Sequence, residues 1–151
     1  MRLVIQRVSQ ASVAVGADLI AEIGPGLLVL VGVTHDDNRA VAVALARKVA
    51  RLRILRDGHR DESAATDLAA PVLVVSQFTL YGDIGSGRRP SWSAAAPRAS
   101  AEPLIDSFVD ELRRGGLHVE TGQFGAMMSV ASINDGPMTI LLESSPTAPL
   151  D

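Results

Sequence analysis

The sequence predicts an α+β fold: a mixed, curled, barrel-like β-sheet with two main helices, completed as a homodimer. Three observations predict it. Apolar, β-branched runs of strand length recur from end to end, at residues 3–8, 27–33, 72–75 and 138–142. Helical periodicity occurs only twice, at residues 41–52 and 104–112, and two helices cannot cover both faces of so many strands. No internal repeat or linker divides the 151 residues, which are enough to bury a real core as one domain. A sheet that curls on itself, closed by the helices and by a second copy of the chain, removes the uncovered face and edge. The domain is expected to span residues 1–145, with the Ala- and Pro-rich residues 146–151 a frayed tail.

Composition narrows the chemistry. Apolar residues make up 47% of the chain, yet it holds one Trp, one Tyr and three Phe, so Val, Leu, Ile and Ala must build the core. A formal charge of −3 argues against a surface coated in basic residues for nucleic acid, while leaving room for a local basic patch. With no Cys there is no disulfide framework, no thiolate nucleophile and no Cys-ligated metal. The longest apolar run, residues 27–31, is far shorter than the about 20 residues of a membrane span. Arg2, Gln6 and Arg7 interrupt the N-terminal apolar pattern, so no signal-peptide core is read there. A cytoplasmic protein without membrane contact is expected.

Taken in order, Leu3, Ile5 and Arg7 alternate with Val4, Gln6 and Val8, and extended character continues through Ala11 to Val15 with a kink at Ser9-Gln10. Arg7 is unusual there: a guanidinium near the core needs an acceptor, and otherwise it belongs on an exposed edge. Residues 19–23 read as a second strand, Gly24-Pro25-Gly26 as a tight turn, and residues 27–33 as a strand buried on both faces. Asp36 or Asp37 is expected to cap a helix running to about Arg53, with Val41, Leu45, Val49 and Leu52 turned inward. Arg47, Lys48 and Arg51 form its outer row, either a solvated face or a contact for phosphates. Residues 53–55 are expected to re-enter the sheet, and residues 57–70 to form a loop. Ser100 is expected to cap the second helix, with Leu104, Phe108 and Leu112 buried and Asp110 paired with Arg114. Gly115-Gly116 stops that helix. Residues 117–121 and 130–134 read as strands, Asn134-Asp135-Gly136-Pro137 breaks the second of them, and residues 138–142 close the fold.

The chain is poor in ordinary catalytic equipment. It has no phosphate-binding loop, no dinucleotide fingerprint and no Gly-x-Ser-x-Gly elbow. His35, His59 and His118 stand alone without metal-ligand spacing, so neither metal nor cofactor is expected. Two stretches are nevertheless unusual. The apolar run 72–75 passes without a turn signal into Ser76, Gln77, Phe78, Thr79, Leu80 and Tyr81. If the strand continues, Gln77, Thr79 and Tyr81 share one face, as a small binding floor, a structural polar network or a solvent face. The second is Asn134-Asp135-Gly136-Pro137, a strong turn signal in which Gly-Pro can also take a cis bond and aim neighbouring carbonyls together. Between them, residues 82–92 combine three glycines with Arg88, Arg89 and Trp92, a composition that suits a flexible excursion or a contact for phosphate and base.

With these residues in view the chain resembles the D-aminoacyl-tRNA deacylase family, often called D-tyrosyl-tRNA deacylases. The likeness runs nearly end to end. It includes Gln6-Arg7-Val8-Ser9, Gly24-Pro25-Gly26, Ser76-Gln77-Phe78-Thr79-Leu80, Arg89-Pro90-Ser91, Phe124-Gly125-Ala126 with Met128, and Asn134-Asp135-Gly136-Pro137 with Thr139. The resemblance implies hydrolysis of the ester joining a D-amino acid, or glycine, to the tRNA 3′ end, as chiral proofreading in translation. It implies a homodimer in which each Gly-Pro element enters the partner's active site. By the same resemblance Ser76, Gln77, Phe78 and Thr79 form the pocket floor, and Gly136 and Pro137 the chiral filter. Arg7 holds that filter, while Phe124 and Met128 line the space for the terminal adenosine. Thr79 is then either a nucleophile or a neighbour of a water placed by the RNA 2′-OH and by backbone amides. An unactivated hydroxyl with no base beside it is a poor nucleophile, which favours water. The chain departs from the family at His59-Arg60-Asp61-Glu62-Ser63, where a short polar motif with Met-Asn is usual. Two rival functions, a non-catalytic tRNA- or ribosome-associated binding protein and a small-molecule esterase, are separated from a deacylase by turnover of D-tyrosyl-tRNA.

Overall fold

Strand β1 (Arg2–Val15) organises the sheet. The computed structural model describes residues 1–58, 60–85 and 87–144, of which 60–62 by backbone alone; the tail expected to fray and His59 lie outside them. Antiparallel to β1 run β3 (Gly26–Gly32) along its first half and β2 (Asp18–Ile23) along its second. On its other side β8 (Met128–Glu143) follows it nearly throughout. Beyond β3, β6 (Val72–Ser76) and then β7 (Val119–Thr121) add in parallel. This mixed sheet curls until β2 approaches β6 and β7, enclosing an inner core of Val8, Val13, Ile23, Leu28, Leu73 and Val75. Its other face packs Leu3, Ile5, Val29, Val31 and Val74 against α1 (Arg39–Arg51) and α3 (Arg98–Arg114). Strands β3 and β6 are covered on both faces, which is why their sequences lack polar alternation.

Several local expectations are corrected. Asn38, not Asp36 or Asp37, caps α1: its Oδ1 accepts from the Val41 N–H at 3.1 Å. Asp37 is taken instead by the N-terminal ammonium of Met1 and the Thr34 N–H. Helix α3 starts after Pro97 with no side-chain cap, leaving Ser100 within its first turn. Arg114 pairs with Glu111 rather than Asp110, because Glu111 already faces Arg47 of α1 at 2.6 Å and completes a bridge between the two helices. Residues 55–58 and 60–63 do not join the main sheet. There β4 (Leu55–Asp57) and β5 (Arg60–Ser63) pair as a separate hairpin around Gly58, whose φ of +60° suits the turn. A one-turn helix α2 (Ala65–Leu68) follows, so the predicted loop is mostly ordered backbone pairing.

The two unusual stretches also differ from expectation. Strand β6 stops at Ser76, where the Gln77 N–H closes the ladder on Val31 O at 2.7 Å. Residues 78–81 wind into a 3₁₀ turn, so Gln77, Thr79 and Tyr81 do not share a strand face. The polar residues begin where the chain leaves the core, which spares them the cost of burial without partners. Asn134-Asp135-Gly136-Pro137 does not end β8, which runs through it as a bulge. Gln6 faces Thr139 and Val8 faces Asn134, so residues 135–138 stand opposite Arg7 alone. The Gly136–Pro137 bond is cis.

Candidate active site

A cavity of about 280 Å³ opens where β6 leaves the sheet. Ser76, Gln77 and Phe78 form one wall and Phe124 and Gly125 another, with Trp92, Ala95, Ala96 and the start of α3 closing the remainder. Phe78 and Trp92 meet edge to face, with centroids 5.5 Å apart, although 56% and 42% of their surfaces are exposed. Large aromatic rings turned to solvent beside a cavity mark a binding surface. Trp92 lies directly on the backbone of Gly82, where a Cβ would come within 2.6 Å of the indole. Gln77 donates from Nε2 to Thr79 Oγ1, tying the ladder's end to the 3₁₀ turn. On the far wall the Arg98 guanidinium sits 5.5 Å from the Phe124 centroid and forks onto Glu102 at 2.9 and 3.2 Å. That hydrogen bond holds Arg98 above its ordinary pKa. Beyond Phe124 and Ile105 a second cavity of about 220 Å³ is bounded by Ser76, Glu102, Asp106 and Thr121.

Of the residues singled out from the sequence, Ser76, Gln77, Phe78 and Phe124 come together in the larger cavity, with Thr79 beside them through Gln77. Met128 sits at the start of β8 and packs against the inner core. Arg7, Gly136 and Pro137 gather elsewhere. Arg7 is 3% exposed and donates from Nε to Asp135 O at 2.9 Å, from Nη1 to Ile54 O at 2.9 Å and from Nη2 to Gly136 O at 3.4 Å. Its Nε also stands 3.1 Å from Asp135 Oδ2, while Arg56 holds Oδ1 at 3.0 Å. The acceptor that a strand arginine requires is therefore present several times over. Pro137 itself is exposed. Sequence reasoning missed Arg98 and Arg56. The Arg98–Glu102 spacing of four within a helix was a legible signal; Arg56 has none, because its partners lie far along the chain.

The chemistry on offer is sparse. Among the described residues no group of three His, Asp or Glu could hold a metal ion. His35 contacts Ser93 O at 2.9 Å and His118 contacts Glu120 at 3.0 Å, both away from the cavity lining. Tyr81 is not among the residues lining the cavity, and burial, with Asp37 second, pushes its phenol up to about 12. Thr79 has an amide as its side-chain neighbour. What remains is backbone: the Phe78 and Thr79 amides open the 3₁₀ turn, ahead of its closing bond from Leu80 N to Gln77 O at 3.2 Å. Such a site can stack a base, hold an anion and stabilise an oxyanion, which is enough for a substrate that is already activated.

A curled mixed sheet whose cavity joins solvent-facing aromatic rings, backbone amides and one arginine forms a site suited to an aromatic, anionic substrate. Comparison with known proteins makes the class particular. A family model described as D-Tyr-tRNA(Tyr) deacylase matches residues 4–143. A D-aminoacyl-tRNA deacylase of Thermobifida fusca is 60% identical over 144 residues, covering 95% of this chain and 99% of the relative. One of Kineococcus radiotolerans is 58% identical over 145 residues, covering 95% and 100%. A solved structure named c-Myc DNA Unwinding Element Binding Protein superposes with a TM-score of 0.87 at 39% identity, covering 96% of this chain and 99% of the other. The chain belongs to the D-Tyr-tRNA(Tyr) deacylase family, whose named relatives are D-aminoacyl-tRNA deacylases.

Proposed function

We propose that this chain hydrolyses the ester between a D-amino acid, or glycine, and the tRNA 3′ end in the cytoplasm, as a homodimer. In this reading Gly136-Pro137 of one protomer closes over the Ser76–Thr79 floor of its partner. The observation that carries the dimer is a separation. Within one chain the floor lines the cavity, while Gly136 and Pro137 sit on the β8 bulge and are not among the residues around it. If Gly136-Pro137 is the filter that the resemblance implies, this separation supports its coming from a second chain. The surface of β8 supports this reading: it is an edge strand 16 residues long, with Val130, Ile133 and Leu141 at 39%, 55% and 75% exposure. Long exposed apolar edges are normally covered.

The terminal base stacks in the aromatic bowl, placing the ester carbonyl at the mouth of the 3₁₀ turn. A water positioned there attacks the carbonyl, the Phe78 and Thr79 amides receive the developing oxyanion, and the ester C–O bond breaks as the ribose oxygen takes up the proton that the water gives up. The partner's carbonyl-lined bulge admits a D-substrate or glycine, while an L side chain meets fixed backbone. No cofactor takes part. The name of the 39%-identical solved structure favours one second reading, nucleic-acid binding without turnover. Incubation with D-tyrosyl-tRNA, L-tyrosyl-tRNA and a simple D-tyrosyl ester tests both. Loss of the first alone is expected; retained tRNA binding with no loss of any substrate would transfer the conclusion to the binding protein, and loss of the simple ester alone to an esterase.

A further inference from the structure

We propose that Arg98 is a phosphate-binding residue of the site. Its guanidinium forks onto Glu102 and passes to the phosphate on the 5′ side of the terminal nucleoside when substrate enters. The inference rests on the deacylase reading and adds to it one residue and one chemical group. Among the described residues around the larger cavity Arg98 alone is charged, so any anion entering there meets it first. Its guanidinium lies 5.5 Å from the centroid of Phe124, so a base stacked in the bowl brings its own sugar and phosphate within reach. The fork that Arg98 makes to Glu102, at 2.9 and 3.2 Å, is the geometry a phosphate accepts equally well. Release costs little, because an exposed i,i+4 ion pair is weak and the Arg98 side chain is 66% exposed. Gly125 keeps the space open: its φ is +75°, and a Cβ there would come within 3.3 Å of Arg98 Nη1.

Two small substrates with the same ester and base isolate the phosphate: adenosine esterified on its ribose with D-tyrosine, and the same ester of adenosine 5′-monophosphate. Removing a forked charge-assisted contact in Arg98→Ala should raise KM for the monophosphate about tenfold more than it raises KM for the unphosphorylated ester. Arg98→Lys should recover only part of the loss, since an ammonium cannot fork. Glu102→Gln, which removes the competing carboxylate, should lower KM for the monophosphate. With tRNA, Arg98→Ala should reduce the slope of log affinity against log salt by about 0.7, one phosphate contact on a single strand. Equal losses on both small substrates, or Glu102→Gln behaving like Arg98→Ala, would overturn the assignment and leave the pair as a helix-start contact. If Arg98→Ala does not fold, the opposite sign expected for Glu102→Gln carries the test. A parent protein inert on both esters and on D-tyrosyl-tRNA overturns the deacylase reading itself, a result distinct from loss in the variant alone.

Discussion

Arg7→Met keeps a stem to fill the interior and removes the guanidinium. The guanidinium makes two bonds of 2.9 Å to Asp135 O and Ile54 O and a longer one of 3.4 Å to Gly136 O. Hydrogen bonds from a charged donor contribute about 1.5–3 kcal/mol each, yet they do not simply add here. Asp135 is 35% exposed and keeps Arg56 at 3.0 Å, so its carboxylate is not stranded. Ile54 is buried, and its carbonyl left without this donor costs about 1–3 kcal/mol. The net loss should be about 2–4 kcal/mol, below the about 3–5 kcal/mol of a fully buried broken pair because Asp135 stays solvated. Urea unfolding at one fixed protein concentration measures it, since the stability of the proposed dimer would depend on concentration. Residues 135–138 stand opposite Arg7 alone, so the variant should also lose discrimination between D- and L-tyrosyl-tRNA at temperatures where it remains folded. A variant within about 0.5 kcal/mol of the parent, with the parent's D-to-L ratio, would show that Arg7 does not anchor this bulge.

Thr79→Ala should keep most of its single-turnover rate, because among the described residues its hydroxyl hydrogen-bonds an amide, that of Gln77, rather than a base; a fall to the uncatalysed rate in a folded protein would make Thr79 the nucleophile or an essential positioner. Gly136→Ala should fold normally, since among the described residues of its own chain a Cβ meets only Asn134 Oδ1 at 3.5 Å, and yet lose deacylation of D-tyrosyl- and glycyl-tRNA alike by crowding the floor of the proposed partner. Full activity in that variant would remove Gly136 from the site. Glu111, held below its ordinary range first by the Arg47 hydrogen bond against the opposing cost of burial, should stabilise the fold fully above the unfolded carboxylate pKa of about 4.3. That contribution is lost as pH falls through the lower folded value, so urea midpoints of parent and Glu111→Gln should converge on acidification; a gap that persists unchanged would show that the bridge does not act through this charge.

The strands were legible because their burial is local information. Residues 27–33 and 72–75 lack polar alternation since both faces are covered, and the helical stripe of Leu45 and Val49 points inward as its spacing requires. The residues alone offered Gln77, Thr79 and Tyr81 on one strand face, which the 3₁₀ turn undoes, and the resemblance supplied Ser76, Phe78 and Phe124. The sequence by itself thus determined the α+β class and the core. Only the tertiary structure decided what ends β6 at Ser76, because the deciding bond runs from Gln77 N to Val31 O across the sheet. It also decided that Asn134-Asp135-Gly136-Pro137 is a bulge rather than a stop, since the partner that carries β8 past it is the first strand of the chain. Capping shows the same limit: Asp37 has the right chemistry for a cap, but the N-terminal ammonium reaches it first and Asn38 takes the helix. Arg98 came over Phe124, and Arg56 to Asp135, through contacts between segments far apart in sequence. A side chain's neighbours along the chain set its propensity, while its neighbours in space set its partner, and only folding brings the second set together.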